Sequence, residues 1–227
     1  MVSFNPTRQQ QMQNLIPGVH VSSPALLSFD QSIELRAFLL RRESGNFLVY
    51  STASLATDAP RVEELGGVAR HYLGHEHEAA YGHAEVAAQF GAPLFCHESE
   101  RATVSETCPV EGTFAERHRL DDDFEVIPIP GHTSGSTAFL WNTGQHRCLF
   151  SADTVYIRDG EWIAALLGSS DRQAYIASLE LVRELDFDVL LPWTASRGGP
   201  WDAMTDKADA RRRIDAIIDR LRRGDDH

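Results

Sequence analysis

The sequence has few cysteines and no long apolar run. Its three cysteines, Cys96, Cys108 and Cys148, show no CxxC spacing. The apolar residues around Cys96 and Cys148 predict buried free thiols in a reducing compartment. No uninterrupted apolar stretch approaches the ~18 residues that a membrane span needs, and the polar segment 1–13 lacks the apolar core of a signal peptide. We therefore expect a cytoplasmic protein with no membrane partner.

Positive charge is also scarce. The chain has 21 Lys+Arg against 33 Asp+Glu, which gives a net charge of -12, so the basic face of a nucleic-acid-binding protein is not expected. With 227 residues, 42% of them hydrophobic and 24% charged, the composition is typical of a globular domain. We predict a single domain over residues 1–227, with a small molecule as its partner.

The pattern of apolar residues predicts a mixed α/β chain. Helices are expected over residues 60–65, 79–90, 171–185 and 206–222, and Gly91 suits the end of the second of them. Strands are expected over several short apolar runs, among them residues 33–40, 46–51 and 68–73. The strands occur as antiparallel meanders mixed with βαβ units, which indicates two sheets covered by helices.

Three histidines and one aspartate follow predicted strands. Residues 73–83 read LGHEHEAAYGH, and His75 and His77, two positions apart on an extended segment, point the same way. His132 follows an apolar strand within Pro-Gly-His-Thr-Ser-Gly-Ser, where small residues permit close backbone approach. Asp153 ends another apolar strand. Imidazole nitrogens and a carboxylate are the ligands of tetrahedral zinc sites, so these four residues are candidate metal ligands.

With these four positions in this order, the chain resembles the metallo-β-lactamase superfamily. The first stretch is similar to its His-x-His-x-Asp-His signature, and the second is similar to its Gly-His-Thr-x-Gly-Ser loop. The resemblance implies an α+β fold, a four-layered αβ/βα sandwich of two mixed sheets flanked by helices. It also implies that His75, His77 and His132 hold the first metal ion and that Asp153 is the ligand which that family shares between two metals.

The chain departs from the family pattern at four positions. Ala79 and Ala80 stand where the family has the Asp and His of the second metal site, and Thr194 follows Trp193 where the family has a late His. Ser51 stands where an Asp is common. Because alanine has no ligand atom, we expect one zinc ion, with iron as the alternative, rather than two ions.

Glu78 and His83 are the residues that could compensate for the two alanines. Glu78 lies one position before Ala79, and His83 lies one helical turn after it. Hydrolysis also needs a base beside the attacking water, and Asp153 and Glu78 are the candidate catalytic residues.

Two functions are compatible with this sequence. One is a mononuclear hydrolase that activates water for attack on an ester, thioester or lactone. Its variant is a non-haem iron enzyme similar to the superfamily's persulfide dioxygenases, with His75, His132 and Asp153 as ligands, although those enzymes keep the Asp-His pair that is lost here. The other is a catalytically inactive member that binds a ligand or a partner protein at the old active-site face.

Overall fold

The computed structural model describes residues 11–226, apart from the side chain of His83, and has five α-helices in that range. They are α1 (Leu55–Glu64), α2 (His83–Phe90), α3 (Arg101–Ser105), α4 (Arg172–Glu184) and α5 (Lys207–Arg223). The sequence pattern predicted α1, α2, α4 and α5, although α1 begins five residues before the predicted start at residue 60, and it missed the short α3. Asp171 and Asp206 cap α4 and α5, because each carboxylate accepts two backbone N–H groups of the first turn.

The predicted helix over residues 79–90 is divided in two. A 3₁₀ helix spans Glu76–Ala80, and α2 begins only at His83. Between them Gly82 has φ 83°, and a Cβ at this position would lie 2.6 Å from the carbonyl oxygen of Thr52. Only glycine fits this close left-handed turn. Gly91, with φ 61°, ends α2 as predicted.

The strands form three sheets among the described residues. The first has seven strands in the spatial order β1 (Gln13–Ile16), β2 (Val19–Val21), β5 (Phe38–Leu40), β6 (Phe47–Val49), β7 (Arg70–Tyr72), β8 (Leu94–His97) and β9 (Gly112–Phe114). The second has six, in the order β10 (His118–Leu120), β11 (Phe124–Pro128), β12 (Thr137–Asn142), β13 (Arg147–Phe150), β16 (Val189–Leu190) and β18 (Ala203–Met204).

The third sheet was not anticipated. It has five short strands in the order β15 (Glu161–Ile163), β14 (Tyr156–Arg158), β17 (Thr194–Ser196), β4 (Ile33–Leu35) and β3 (Ala25–Leu26). It arises because the predicted strand over residues 33–40 is interrupted after Leu35. At this point the chain leaves the third sheet for the first, and the N–H of Arg36 donates to the carbonyl oxygen of Trp193 at 3.0 Å.

Two apolar clusters hold the layers together. The first and second sheets share a buried cluster that includes Phe38, Tyr72, Phe124, Phe139 and Phe150. Helices α4 and α5 pack on the second sheet through another cluster that includes Leu179, Ile214 and Ile217. Burial of apolar surface on both faces of a sheet is what requires flanking helices. The predicted α+β sandwich with mixed sheets is confirmed.

The predicted burial of Cys96 and Cys148 as free thiols is confirmed as well. Cys96 and Cys148 are buried and free, and so is Cys108. No described helix is long and apolar enough to cross a membrane.

Candidate metal centre

Three histidines converge at one edge of the sheets. His75 and His77 follow β7, and His132 follows β11. One ring nitrogen from each lies within 4.8 Å of the others, and Nδ1 of His77 is 3.2 Å from Nε2 of His132. The structure therefore brings together the three imidazoles that the sequence pattern singled out.

The hydrogen bonds of His75 and His132 leave one nitrogen of each ring free to bind a metal. Nδ1 of His75 donates to Oε1 of Glu78 at 3.1 Å, and Nδ1 of His132 donates to the carbonyl oxygen of Ala165. Nε2 of each ring is then an acceptor. In His75 this atom is buried without a hydrogen-bond partner. Burial also lowers the pKa of His75 and His77, which favours the neutral imidazole that binds metals.

Asp153 supplies an oxygen to the same point. Its Oδ2 lies 3.6 Å from Nε2 of His75 and 3.8 Å from Nε2 of His132. Its Oδ1 accepts a hydrogen bond from Oγ1 of Thr194 at 2.7 Å, which fixes the carboxylate with Oδ2 toward the histidines. Burial raises the pKa of Asp153, and the nearby His132 and the hydrogen bond from Thr194 oppose that rise.

These separations fit one tetrahedral ion. Ligand atoms about 2.0–2.1 Å from a tetrahedral zinc lie about 3.3 Å from one another, and the contacts His77–His132, His75–Asp153 and His132–Asp153 measure 3.2, 3.6 and 3.8 Å. An unpartnered buried nitrogen would otherwise carry a desolvation cost. The donor set of three imidazoles and one carboxylate suits zinc or another transition metal.

Glu78 lies on the opposite side of His75 from the ligand cluster and is fully buried. Its carboxylate accepts hydrogen bonds from the backbone N–H groups of Gly74 at 2.8 Å, His75 at 3.1 Å and Ser51 at 3.1 Å, as well as from Nδ1 of His75. Burial raises its pKa, and the N–H donors oppose that rise. Glu78 does not line the open cavity. Of the two carboxylates predicted to be catalytic, only Asp153 reaches that cavity, and Glu78 instead orients a ligand imidazole.

Among the described side chains, the positions that correspond to the family's second site carry no such ligands. Ala79 and Ala80 line the cavity with methyl groups, and Thr194 is engaged by Asp153. The indole of Trp193 packs edge-on against His75, with ring centroids 5.1 Å apart, and Tyr81 packs against Trp193 at 5.5 Å. Apolar and aromatic groups therefore line this side. The hypothesis that His83 compensates for the alanines stays a prediction, because its side chain lies outside the described part of the chain.

Close backbone contacts position the ligand loops. A Cβ at Gly131 would lie 2.3 Å from Cα of Tyr175, and one at Gly74 would lie 2.7 Å from Cβ of Ala152. Ala152 itself has φ 49°, an uncommon conformation for a non-glycine residue. The loops that carry His75, His132 and Asp153 can therefore approach closely only with these small residues.

A second buried glutamate, Glu100, links two loops at the site and was not anticipated. Its Oε1 accepts hydrogen bonds from Oγ1 of Thr133 and from the N–H of Gly135 at 3.1 Å. Burial raises the pKa of Glu100 to about 7, against these hydrogen bonds, which lower it. No sequence motif marks this residue, because its partners come from a loop far along the chain.

Three further histidines, His71, His97 and His118, have partners outside the cluster. Nε2 of His71 contacts the carbonyl oxygen of Tyr50 at 2.9 Å. Nδ1 of His97 contacts Oγ of Ser99 at 2.9 Å, and Nδ1 of His118 contacts the carbonyl oxygen of Glu116 at 2.8 Å.

Comparison with known proteins agrees with this geometry. Residues 62–194 match the family model of the metallo-beta-lactamase superfamily, and this segment spans more than half of the 227 residues and all four candidate ligands. The chain belongs to the metallo-beta-lactamase superfamily. No curated protein matches it.

Solved structures show the same fold. The chain is similar to the metallo-beta-lactamase GOB-18 from Elizabethkingia meningoseptica, with 13% identity and a TM-score of 0.68, covering 96% of this chain and 94% of that chain. It is also similar to BJP-1, a subclass B3 metallo-beta-lactamase of Bradyrhizobium japonicum, with 14% identity and a TM-score of 0.67, covering 96% of each. A metallo-beta-lactamase from Cronobacter sakazakii has 16% identity and a TM-score of 0.69, covering 94% of this chain and 97% of that chain.

Proposed function

We propose that the protein is a mononuclear metal-dependent hydrolase that acts on an ester, thioester or lactone. His75, His77, His132 and Asp153 would hold one zinc ion. The observation that carries this proposal is the buried Nε2 of His75, which has no hydrogen-bond partner and faces ligand atoms of His132 and Asp153. Such an arrangement is costly for unpaired polar groups and suits a bound cation.

A bound zinc ion would supply a Lewis acid that polarises a carbonyl group and acidifies a water molecule. Within the chain, Asp153 is the carboxylate at the cavity surface that would lie beside that water, and Thr194 fixes its direction by donating to Oδ1. Glu78 keeps the imidazole of His75 in the ligand tautomer through Nδ1. Ala165 does the same for His132.

The lost second site argues for a substrate other than a β-lactam. Position 79 carries a methyl group where the family pattern has a carboxylate, so no group there orients an attacking water, and misplacement of reacting groups costs orders of magnitude in rate. We therefore expect a chromogenic cephalosporin to be turned over far more slowly than roughly 1 per second. Turnover at or above that rate would contradict this part of the proposal.

The experiment is a hydrolysis panel on zinc-reconstituted protein. We expect chelator-sensitive hydrolysis of at least one of three substrates, p-nitrophenyl butyrate, butyryl thiocholine or a γ-lactone, and its loss in His132→Ala. The matched control is His118→Ala, a partly exposed histidine outside the cluster, which should retain the rate. If no substrate class shows chelator-sensitive turnover, the alternative of an inactive ligand-binding member is favoured, since the missing second site is the specific observation behind it.

A further inference from the structure

The metal cluster opens into a large cavity whose walls are mostly apolar. The cavity has a volume of about 930 Å³, and His77, His132 and Asp153 lie on its surface. A volume of this size is typical of small-molecule sites. The character of its walls therefore bears on what the site binds.

The apolar wall begins at the position of the lost second site. Ala79 and Ala80 form part of the lining, and Trp193 and Tyr81 continue it with two aromatic rings in edge contact. The hydroxyl of Tyr81 contacts Oγ of Ser28 at 3.0 Å and accepts a hydrogen bond from its backbone N–H at 3.3 Å. Tyr81 thus attaches the hairpin between β3 and β4 to the wall beside the ligands.

Two exposed apolar side chains form the rim of the same cavity. Phe29, on that hairpin, is 85% exposed, and Leu167 is 45% exposed. Large apolar groups that are exposed together around a cleft commonly mark a binding surface. The rim and the wall could together remove an apolar group from water.

The charges around the cavity disfavour an anionic substrate. Besides Asp153, the lining includes the carboxylates Glu76, Glu106 and Asp226 and one guanidinium, that of Arg158. Arg158 already donates a hydrogen bond to the hydroxyl of Tyr156. A neutral molecule avoids the repulsion that a carboxylate or phosphate would meet here.

We infer that this site takes a neutral ester, thioester or lactone with a medium-length apolar acyl group, and that the apolar group lies over Ala79 and Ala80 against Tyr81 and Trp193. The inference rests on the proposed function for the identity of the reacting bond. The apolar wall itself is independent of any reaction, so it can be tested by binding alone.

The test is calorimetric binding of butyramide, hexanamide and octanamide, which are neutral and resist hydrolysis, to both metal-free and zinc-loaded protein at pH 8. Each buried methylene should tighten binding about fourfold until the cavity is filled, and the heat-capacity change should become more negative with chain length. Octanoate should bind metal-free protein more weakly than octanamide. Equal affinities along the amide series, or tighter binding of octanoate, would overturn the inference.

Variants locate the binding. Phe29→Ser and Leu167→Ser should each weaken octanamide binding by up to about tenfold. Ala80→Asp should weaken the binding of octanamide more than the binding of butyramide. The control is Met204→Ser, which changes a residue that is 59% exposed and does not line the cavity. If Met204→Ser weakens binding as much as the rim variants, the apolar group does not lie in this cavity.

The outcomes separate the two ideas. Chain-length-dependent amide binding in a protein without chelator-sensitive turnover would leave the apolar site in place and remove the hydrolase proposal. Chelator-sensitive turnover could also occur without any chain-length dependence, either in amide binding or in kcat/KM along p-nitrophenyl acyl esters. That result would keep the hydrolase proposal and remove the apolar acyl site.

Discussion

The two halves of the cavity differ in chemistry although both begin at the same turn. On one side, His75 and His77 join His132 and Asp153 around a single point. On the other side, the residues at the next positions of the turn are Ala79 and Ala80, which lead to the aromatic wall of Trp193 and Tyr81. One half carries imidazole nitrogens and a carboxylate, and the other presents methyl groups and aromatic rings.

The hydrogen bonds that support the histidine side are made without Ala79 and Ala80. Glu78 fixes His75, and Thr194 fixes Asp153. Where the family pattern has a metal-binding His, this chain has Thr194, which instead donates a hydrogen bond to the candidate ligand Asp153. The histidine side therefore has its own supporting hydrogen bonds, as metal sites in proteins commonly do.

The largest effect should come from removing one of the candidate ligands, which are His75, His77, His132 and Asp153. We expect His75→Ala to lower zinc affinity by more than about 100-fold, beyond the 10- to 100-fold typical of supporting residues. Competition with a chromogenic chelator measures this affinity. His118→Ala should leave it unchanged, and an unaltered affinity in His75→Ala would mean that the histidine cluster is not the metal site.

The next effect is expected when the ligands of the family's second metal site are restored. Ala79→Asp with Ala80→His and Thr194→His should raise the zinc content from one to two ions per chain, whereas the first two changes alone should leave it at one. The added polar groups should destabilise the metal-free protein and make its melting temperature more dependent on zinc. A triple variant that still binds one ion would show that positions 79, 80 and 194 do not together form a second site.

A smaller effect is expected from changing Glu78, which accepts a hydrogen bond from Nδ1 of His75. Glu78→Gln places an N–H₂ group where a carboxylate oxygen accepts a backbone N–H, so zinc affinity should fall by about 10- to 100-fold. Stability should fall by about 1–3 kcal/mol because a buried donor loses its partner. Glu85→Gln, on the exposed side of α2, is the control. If Glu78→Gln and Glu85→Gln have the same zinc affinity and the same stability, Glu78 does not support the metal site.

The last effect is a pH dependence of stability that comes from Glu100 and does not involve zinc binding. Its folded-state pKa of about 7 lies above the ordinary value of 4.5 for a glutamate, so its contribution to stability is fully present below pH 4.5 and is lost as pH rises through about 7. The loss amounts to roughly 3 kcal/mol. Urea unfolding from pH 4.5 to 8 should show that Glu100→Gln loses less stability than the parent. Glu98→Gln should follow the parent, and parallel curves for Glu100→Gln would contradict the assignment.

Much of the site could be predicted because its ligands lie next to strands in short motifs. His75, His77, His132 and Asp153 each follow an apolar run, and strand ends at one edge of two packed sheets meet in space. The four longer helices were predictable from apolar spacing for the same local reason. The helix bounds near residues 76–83 could not be predicted, because they depend on the close approach of Gly82 to Thr52, which is a tertiary contact.

The supporting residues could not be predicted because their roles depend on side-chain direction. Glu78 was expected near the reacting water, but the 3₁₀ turn directs its carboxylate back toward three N–H groups and His75. Thr194 and Glu100 are paired with residues far away in sequence, and no local pattern marks such pairs.

The metal content of the reconstituted protein tests the central claim most directly. Protein purified with chelator, loaded with excess zinc and desalted should contain one zinc ion per chain by elemental analysis, and His132→Ala should contain none. Two tightly bound ions per chain would show that the apolar half also holds a metal. No bound ion would show that the three histidines and Asp153 do not form a metal site.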